Sequence, residues 1–261
     1  VSYIYKSLYT MSSKYKSLNT LLKTKTFLEE IFENTYSTME YTGISSVINY
    51  DKLTYHIPCK SKEREISDIL VSNSDTFEIS KYLIDNGFNP LVLNMTSAEF
   101  ITSGFDYSQE SELFRRSNLY KSLETDYYPL KSNQGILSPL VHVFKDINYN
   151  LITPFSVDIV SISAINHPLL TENGEYVHEN DKTLMANKID GIFKIALNNG
   201  NDSLVLSAFG CGQYRNPSKE VAKLFLECII KYRQCFRMIS FGILGKNYTI
   251  FNSVLSSLNK F

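Results

Sequence analysis

A glycine-containing loop at residues 210–217 reads Gly-Cys-Gly-Gln-Tyr-Arg-Asn-Pro and joins an apolar run to an amphipathic segment. Glycine lets backbone N–H groups approach an anion closely, and a helix N-terminus carries about half a positive charge. The loop is therefore suited to holding a phosphate or diphosphate group. A tight turn between a strand and a helix uses the same residue types, so the pattern alone leaves both interpretations open.

A second polar group, Gln109, Glu110, Ser111 and Glu112, opens a predicted helix. Acidic residues in a first helical turn interact favourably with the helix dipole, which is a sufficient structural reason for them. A carboxyl group at such a position can also face a cleft. There it can protonate a leaving oxygen or activate water, as the hydrolysis of a glycosidic bond requires.

The composition argues against several other classes of protein. Lys and Arg total 26 against 27 Asp and Glu, a net charge of −1, so there is no basic excess to hold nucleic acid. No run approaches the ~20 apolar residues that span a bilayer, and the first thirty residues lack the apolar run of a signal peptide. We expect an intracellular protein without a membrane or direct nucleic-acid partner.

The cysteines and histidines show no pattern typical of a metal site. Cys59, Cys211, Cys228 and Cys235 are too few and too scattered for a disulfide scaffold, and none forms a CxxC pair. No pair of histidines has a metal-ligand spacing such as HxxxH. We expect reduced thiols, no metal and no cofactor. A helix N-terminus would lower the pKa of the Cys211 thiol, but packing is its favoured role.

Hydrophobic periodicity indicates the elements that position these residues. The predicted helices cover residues 1 to about 40, 75–86, 112–123, 185–199, 217–229 and 248–258. The predicted strands cover residues 91–95, 140–144, 157–163, 204–209 and 238–244, and residues 42–74 predict a short hairpin with solvated loops. Asp75 and Asn216 are the expected N-caps of two helices, and Gly87 and Gly200 are the expected stops of two.

Short apolar strands that alternate with helices of about a dozen residues predict an α/β fold with a largely parallel sheet. Ligands bind beyond the carboxyl ends of the strands in such sheets. The loops that follow residues 91–95 and 204–209 therefore qualify as binding loops.

Three ordered blocks together are more specific than either loop alone. They are Leu-Val-Leu-Asn-Met-Thr-Ser-Ala at 91–98, Gln-Glu with Arg-Arg-Ser and Leu-Tyr at 109–120, and Ala-Phe-Gly-Cys-Gly with Asn-Pro and Val-Ala-Lys-Leu-Phe at 208–225. These blocks resemble the microbial-type poly(ADP-ribose) glycohydrolases, a branch of the macrodomain fold. The resemblance implies a three-layer sandwich, a mixed and mostly parallel sheet flanked by helices. An N-terminal helical and hairpin extension at 1–70 would pack on a core at 71–261.

The resemblance also implies a cleft for ADP-ribose and hydrolysis of the ribosyl bond to protein or to the next ADP-ribose. The expected partner is ADP-ribose or an ADP-ribosylated protein. The implied binding residues are Asn94, Ser97, Gly104, Gln109, Gly210, Cys211, Gly212, Gln213, Tyr214 and Asn216. Tyr214 would stack on a base or ribose.

The first binding loop departs from the family pattern, which has Asn-Pro and three successive glycines ahead of Gln-Glu-Glu. Residues 100–104 read Phe-Ile-Thr-Ser-Gly, so only Gly104 remains and side chains stand at Thr102 and Ser103. Ser111 occupies the position of the family's catalytic acid. A hydroxyl group cannot replace that carboxyl group as a proton donor near pH 7, because its pKa is far too high.

Three functions remain open on the sequence. The first is an active hydrolase in which Glu110, with Asp106 or Glu112, has taken over the acid/base role on an altered ADP-ribosyl substrate. The second is a non-catalytic module that recognises ADP-ribose, and the third is an interaction scaffold that binds another nucleotide or none. Arg115 and Arg116 could pair with phosphate, but ion pairs within the fold are favoured for them.

Overall fold

The computed structural model of the protein describes residues 18–53 and 68–256. Within these residues, seven strands form one sheet: β1 Ser46–Asn49, β2 Asp68–Ser72, β3 Pro90–Met95, β4 Gln134–Lys145, β5 Leu151–Ile162, β6 Ser203–Leu206 and β7 Met238–Gly242. Six α-helices surround it: α1 Leu18–Thr38, α2 Thr76–Asp85, α3 Gln109–Phe114, α4 Glu179–Asn199, α5 Ser218–Tyr232 and α6 Lys246–Leu255.

The strand order is β1-β4-β5-β3-β6-β7-β2. The five strands from β5 to β2 are parallel, whereas β1, β4 and β5 pair antiparallel. The predicted mixed, mostly parallel sheet is therefore confirmed.

Side chains on β3 alternate between the two faces of the sheet, as the pleat of a strand requires. Leu91 and Leu93 join the core cluster that includes residues of α4, α5 and α6, and Val92 joins the cluster that includes residues of α1, α2 and α3. All three side chains are fully buried. The sheet thus lies between two helical layers, which confirms the predicted sandwich and places the carboxyl end of β3 in its middle.

The predicted cap of α2 and the predicted end of α4 are confirmed. Asp75 accepts hydrogen bonds from the N–H groups of Phe77 and Glu78 at 2.9 and 3.2 Å, and the Glu78 side chain completes a capping box. Helix α4 ends at Asn199, followed by Gly200 with φ +83°. That left-handed conformation costs glycine little and other residues more, which is why the helix stops there.

The two described strands within residues 42–74, β1 and β2, do not pair with each other. Strand β1 pairs with β4 at one edge of the sheet, and β2 pairs with β7 at the opposite edge. The predicted boundary at residue 70 falls inside β2, so the hydrogen-bonded sheet crosses it. Cys59, the charged run at 60–65 and the first part of the predicted N-terminal helix lie outside the described residues.

The bounds of several elements also differ from those that hydrophobic periodicity predicts. The strands β4 and β5 are twelve residues each, because backbone pairing continues through polar positions such as Ser138 and Ser156. Helix α3 ends at Phe114, and a short 3-10 helix, Leu119–Ser122, takes the place of the predicted continuation. Asn216 does not cap α5, which begins at Ser218 with Pro217 at the N-cap position.

Candidate active site

A cavity of about 460 Å³ lies at the carboxyl ends of β3, β5 and β6. The loop after β3 and the first turn of α3 contribute Ser97, Asp106, Gln109 and Glu110 to its lining. The loop after β6 contributes Gly210, Gly212, Gln213 and Tyr214. The structure therefore brings eight of the predicted site residues together around one space, at the edge of the sheet where ligands bind in α/β folds.

Glu110 is the most buried carboxyl group of the cavity, with 1% of its surface exposed. Its Oε1 accepts from Asn94 Nδ2 at 3.0 Å, and its Oε2 accepts from Thr102 Oγ1 at 2.8 Å. Burial raises the pKa of Glu110 to about 6, although hydrogen bonds from Thr96, Asn94 and Thr102 oppose this rise; the charge of Asp106 adds to it. Glu110 therefore keeps a proton closer to neutral pH than an ordinary glutamate does.

Asp106 has the opposite tendency. Its Oδ1 accepts from the backbone N–H and the hydroxyl of Ser108 at 2.8 and 2.5 Å. Burial would raise its pKa, but hydrogen bonds from Ser108 and Ser111 and the positive charge of Arg115 together hold the pKa below its ordinary value. The cavity thus holds one carboxyl group that favours its proton and one that favours ionisation.

The sequence resemblance expects the catalytic acid at the position of Ser111, and the structure shows that the Ser111 side chain is fully buried. Its hydroxyl lies 3.1 Å from that of Ser108, which caps α3 by accepting from the Ser111 N–H at 3.1 Å. Ser111 therefore supports the helix start and Asp106, and it offers no carboxyl group.

Glu112, a predicted catalytic candidate, is not part of the cavity lining. Its Oε2 accepts from Arg115 Nη2 at 2.8 Å and from the Tyr149 hydroxyl at 2.9 Å. Arg115 in turn donates to the carbonyl groups of Gly104 and Asp106 at 2.6 and 2.9 Å. These contacts use the Glu112 carboxylate to hold the first binding loop through Arg115, as the predicted ion-pair role of Arg115 implied.

Four other predicted binding residues lie behind the lining. Asn94 supports Glu110 from β3, and Asn216 Nδ2 donates to the carbonyl groups of Ile165 and Gly210 at 2.7 and 3.1 Å. Cys211 is buried, which raises the pKa of its thiol to about 12 and favours packing over nucleophilic chemistry. Gly104 has φ +78°, and a Cβ there would clash with the Phe32 ring. Its role is to let α1 pack closely against the loop.

The two glycines at the start of the second loop have different roles. A Cβ on Gly210 would lie 2.5 Å from Ala164 Cβ, and its φ is +70°, so the fold itself requires glycine. A Cβ on Gly212 would meet nothing within 4 Å, although Gly212 lines the cavity. The space beside Gly212 is therefore open for a ligand, and the N-terminus of the fifteen-residue helix α5 follows six residues later.

Sequence reasoning missed several residues around the cavity: Met95, Thr96, Tyr107, Ser108 and Ala164 in its lining, and Tyr128 behind it. Thr102 was expected only to narrow the wall. Tyr128 is 32 residues from Thr96, with which its hydroxyl shares a 3.2 Å hydrogen bond, so no local pattern could have linked them. For Ser108, the cap position just ahead of Gln109 and Glu110 was an available signal.

Among the described residues, no group of three His, Cys, Asp or Glu side chains is placed to hold a metal ion. No helix in the described part of the chain is long and apolar enough to cross a membrane. The residues that line the cavity offer carboxyl, hydroxyl, amide and backbone N–H groups. These groups suit the binding of a polyhydroxylated anionic ligand and proton transfer to it.

The fold is an α/β sandwich of macrodomain type, and its cavity lies at the carboxyl edge of the sheet. Residues 23–146, slightly less than half of the chain, match the family model described as the catalytic domain of microbial-type PARG, poly(ADP-ribose) glycohydrolase. This segment contains the first binding loop and Glu110. No curated protein matches the chain in sequence.

Solved structures of bacterial poly(ADP-ribose) glycohydrolases share the fold. The enzyme from Thermomonospora curvata superposes with a TM-score of 0.70 at 22% identity, over 86% of this chain and 88% of that chain. The same enzyme bound to the inhibitor ADP-HPD gives 0.68 at 23% identity, with the same coverage. The enzyme from Deinococcus radiodurans in complex with ADP-ribose gives 0.64 at 22% identity, over 90% and 92%. The predicted macrodomain-like architecture is therefore confirmed.

Proposed function

We propose that this chain is a microbial-type poly(ADP-ribose) glycohydrolase with an altered acid/base pair, which binds ADP-ribose in the cavity and hydrolyses ADP-ribosyl linkages on protein. Glu110 is the general acid and Asp106 the general base. The observation that carries the proposal is the divergence of their proton affinities within one cavity: burial raises the pKa of Glu110 to about 6, and hydrogen bonds lower the pKa of Asp106. Such divergence is the usual sign of an acid and base pair.

The second loop supports the binding part of the proposal. The open space beside Gly212 lets backbone N–H groups approach a diphosphate, and the N-terminus of α5 adds favourable electrostatics. Tyr214 presents an aromatic ring in the same lining for stacking on a base or ribose. The similar structure from Deinococcus radiodurans contains ADP-ribose, which supports this choice of ligand.

The proposed reaction breaks the bond between the anomeric carbon of the ribose and the oxygen of the leaving group. Glu110 gives its proton to that oxygen as the bond breaks. A water molecule adds to the anomeric carbon and gives its proton to Asp106, so the products are ADP-ribose and the protein with its side chain restored. A group with a pKa of about 6 suits this donation, because general acids work best when their pKa lies near the working pH.

Hydrolysis of ADP-ribosylated protein, followed by release of ADP-ribose, tests the proposal. We expect turnover by the parent and a loss of about 100-fold or more in Glu110→Gln and in Asp106→Asn, with ADP-ribose affinity retained. Glu99→Gln is the matched control, since Glu99 is an exposed carboxylate on the same loop and outside the cavity lining. A Glu110→Gln variant as active as the parent would contradict the acid assignment.

A second function, recognition of ADP-ribose without hydrolysis, is favoured by Ser111. Its buried hydroxyl stands where the resemblance expects the catalytic carboxyl group. If the protein binds ADP-ribose and has no turnover, this function replaces the first. Ser111→Glu then tests whether the remaining geometry is competent, because a gain of hydrolysis requires that the cavity already holds the substrate correctly.

Calorimetric titration with ADP-ribose, and with AMP and NAD as controls, comes before either assay. Micromolar binding of ADP-ribose that is weaker for the controls supports both functions. Absence of heat for all three ligands contradicts both and leaves the scaffold function.

A further inference from the structure

Thr102 lies in the loop between β3 and α3 and lines the cavity beside Glu110. Its Oγ1 donates to Glu110 Oε2 at 2.8 Å, and Asn94 Nδ2 donates to Glu110 Oε1 at 3.0 Å. Asn94 is on β3, and its Nδ2 also donates to Ser161 Oγ on β5 at 2.9 Å. Its amide group is therefore tied to the neighbouring strand as well as to Glu110. Thr102 belongs to the loop. The Glu110 carboxyl group is therefore held between the rigid sheet and the loop that forms the cavity wall.

We infer that Thr102 is a positioning residue, which fixes the orientation and the proton affinity of the Glu110 carboxyl group through its hydroxyl. The inference rests on the proposed function only in taking Glu110 as the acid. The contact joins a residue of the loop after β3 to the most buried carboxyl group of the cavity. Through this hydrogen bond, the loop sets the orientation of the Glu110 carboxyl group toward a ligand in the cavity.

The direction of the effect follows from the groups that face Glu110. The hydroxyl and amide groups of Thr96, Asn94 and Thr102 stabilise its ionised form, whereas burial and the negative charge of Asp106 oppose ionisation. The Tyr128 phenol also faces it, and burial raises the pKa of that phenol, so it stays uncharged near neutral pH. Removing the Thr102 hydroxyl takes away one of the groups that stabilise the ionised form, so the pKa of Glu110 should rise.

The test measures the pKa of Glu110 directly, by following its side-chain carboxyl ¹³C resonance against pH in glutamate-labelled protein without ligand. Comparison with Glu110→Gln identifies the resonance. We expect Thr102→Val, which keeps the shape and removes the hydroxyl, to raise the pKa by about one unit, the size expected for a hydrogen bond to a charged group. Thr102→Ser restores a hydroxyl and should restore the parent's value.

Ser103→Ala is the matched control on the same loop, because Ser103 is exposed and its hydroxyl accepts only from Phe105 N, at 3.5 Å, among the described contacts. It should leave the pKa of Glu110 unchanged. If Thr102→Val does not fold, Thr102→Ala provides the same comparison. A pKa equal to the parent's in the variant without the hydroxyl would overturn the inference.

This readout separates the inference from the proposed function. If the protein hydrolyses its substrate, the basic limb of the pH profile of kcat/KM should move upward in Thr102→Val and return in Thr102→Ser. A shifted pKa in a protein without turnover supports the positioning role and contradicts the hydrolase proposal. An unshifted pKa in an active enzyme contradicts the positioning role alone.

Discussion

At the scale of single residues, the buried carboxyl group of Glu110 should lower the free energy of unfolding when it is ionised. Its pKa in the folded protein is raised to about 6 from an ordinary value of 4.5. Between these values the folded state holds a proton that the unfolded state has released, so stability falls as pH rises through this window. Above pH 6 the full cost of the buried charge is present.

Glu110→Gln should therefore stabilise the protein at pH 7 by about 2 kcal/mol, the equivalent of this shift at 1.36 kcal/mol per unit. The Thr102 hydroxyl can turn to accept from the new amide, and Asn94 can still donate to its oxygen. Urea unfolding of parent and variant at pH 4 and pH 7 checks the prediction. The gain should be present at pH 7 and nearly absent at pH 4, and an equal gain at both would contradict the titration of Glu110 as its cause.

Gly212→Val should abolish ADP-ribose binding and leave the fold intact. The added side chain meets no protein atom within 4 Å at its Cβ, and it projects where the diphosphate is proposed to lie. Calorimetry measures the loss, and an unchanged thermal midpoint confirms the fold. Gly210→Ala is the instructive contrast, because its Cβ would meet Ala164 and Asn216 and should lower the midpoint itself. Retained affinity in Gly212→Val would remove the diphosphate assignment.

At the scale of elements, α2 and α3 are joined by a buried ion pair. Arg116 Nη1 lies 2.8 Å from Asp75 Oδ1, and the two side chains are 2% and 7% exposed. The same Asp75 oxygen caps α2. The Asp75 carboxylate therefore fixes the start of α2 and pairs with the charge of Arg116, which follows α3.

Asp75→Ala should destabilise the protein by about 3–5 kcal/mol, since it removes the carboxylate that lies 2.8 Å from the buried guanidinium, whereas the Glu112 carboxylate is 3.8 Å away. Asp75→Asn keeps a good N-cap and loses only the charge, so it should be about 1 kcal/mol less costly. Denaturant unfolding of both variants gives the two values. Equal losses would show that the N-cap, which asparagine keeps and alanine lacks, contributes nothing to stability here.

The same elements show how far the sequence determines the fold. Capping residues and glycine stops predicted the start of α2 and the end of α4, because their signals are local. Periodicity placed β3, which is buried on both faces and wholly apolar until Asn94. It could not place β1 and β2 at opposite edges, because that choice depends on partners about 90 and 170 residues away.

The candidate site was predictable to a similar extent. Both candidate loops follow buried strands, and eight of the predicted site residues line the cavity. The sequence could not separate Glu110 from Glu112. Two positions along a helix turn a side chain through about 200°, so one carboxyl group faces the cavity and the other faces Arg115.

At the scale of the whole molecule, Lys188 is a charge that the fold buries without a carboxylate partner among the described contacts. Its Nζ donates to the Ser132 carbonyl at 3.0 Å, and burial lowers its pKa to about 8. Below pH 8 both folded and unfolded states carry the proton, so the full penalty applies. As pH rises from 8 toward the ordinary lysine value of 10.5, the folded state loses the proton first, and the penalty disappears.

Lys188→Met should therefore stabilise the protein at pH 7, by up to roughly 3 kcal/mol from the size of the shift. The Ser132 carbonyl keeps a donor, the Tyr50 hydroxyl at 2.6 Å. Chemical unfolding at pH 7 and pH 10 measures the difference between variant and parent. It should shrink at the higher pH, and a variant less stable than the parent at pH 7 would contradict the prediction.

The position of β2 at the outer edge of the sheet has a consequence for biosynthesis. Its strand partner β7 begins 170 residues later, with Asp68 opposite Met238. Strand β2 pairs with the side of β7 that β6 leaves open. A nascent chain therefore cannot complete its sheet until β7 has left the ribosome. Until then the edges of β2 and β6 offer unpaired backbone groups to other chains, so this fold depends on late closure during synthesis.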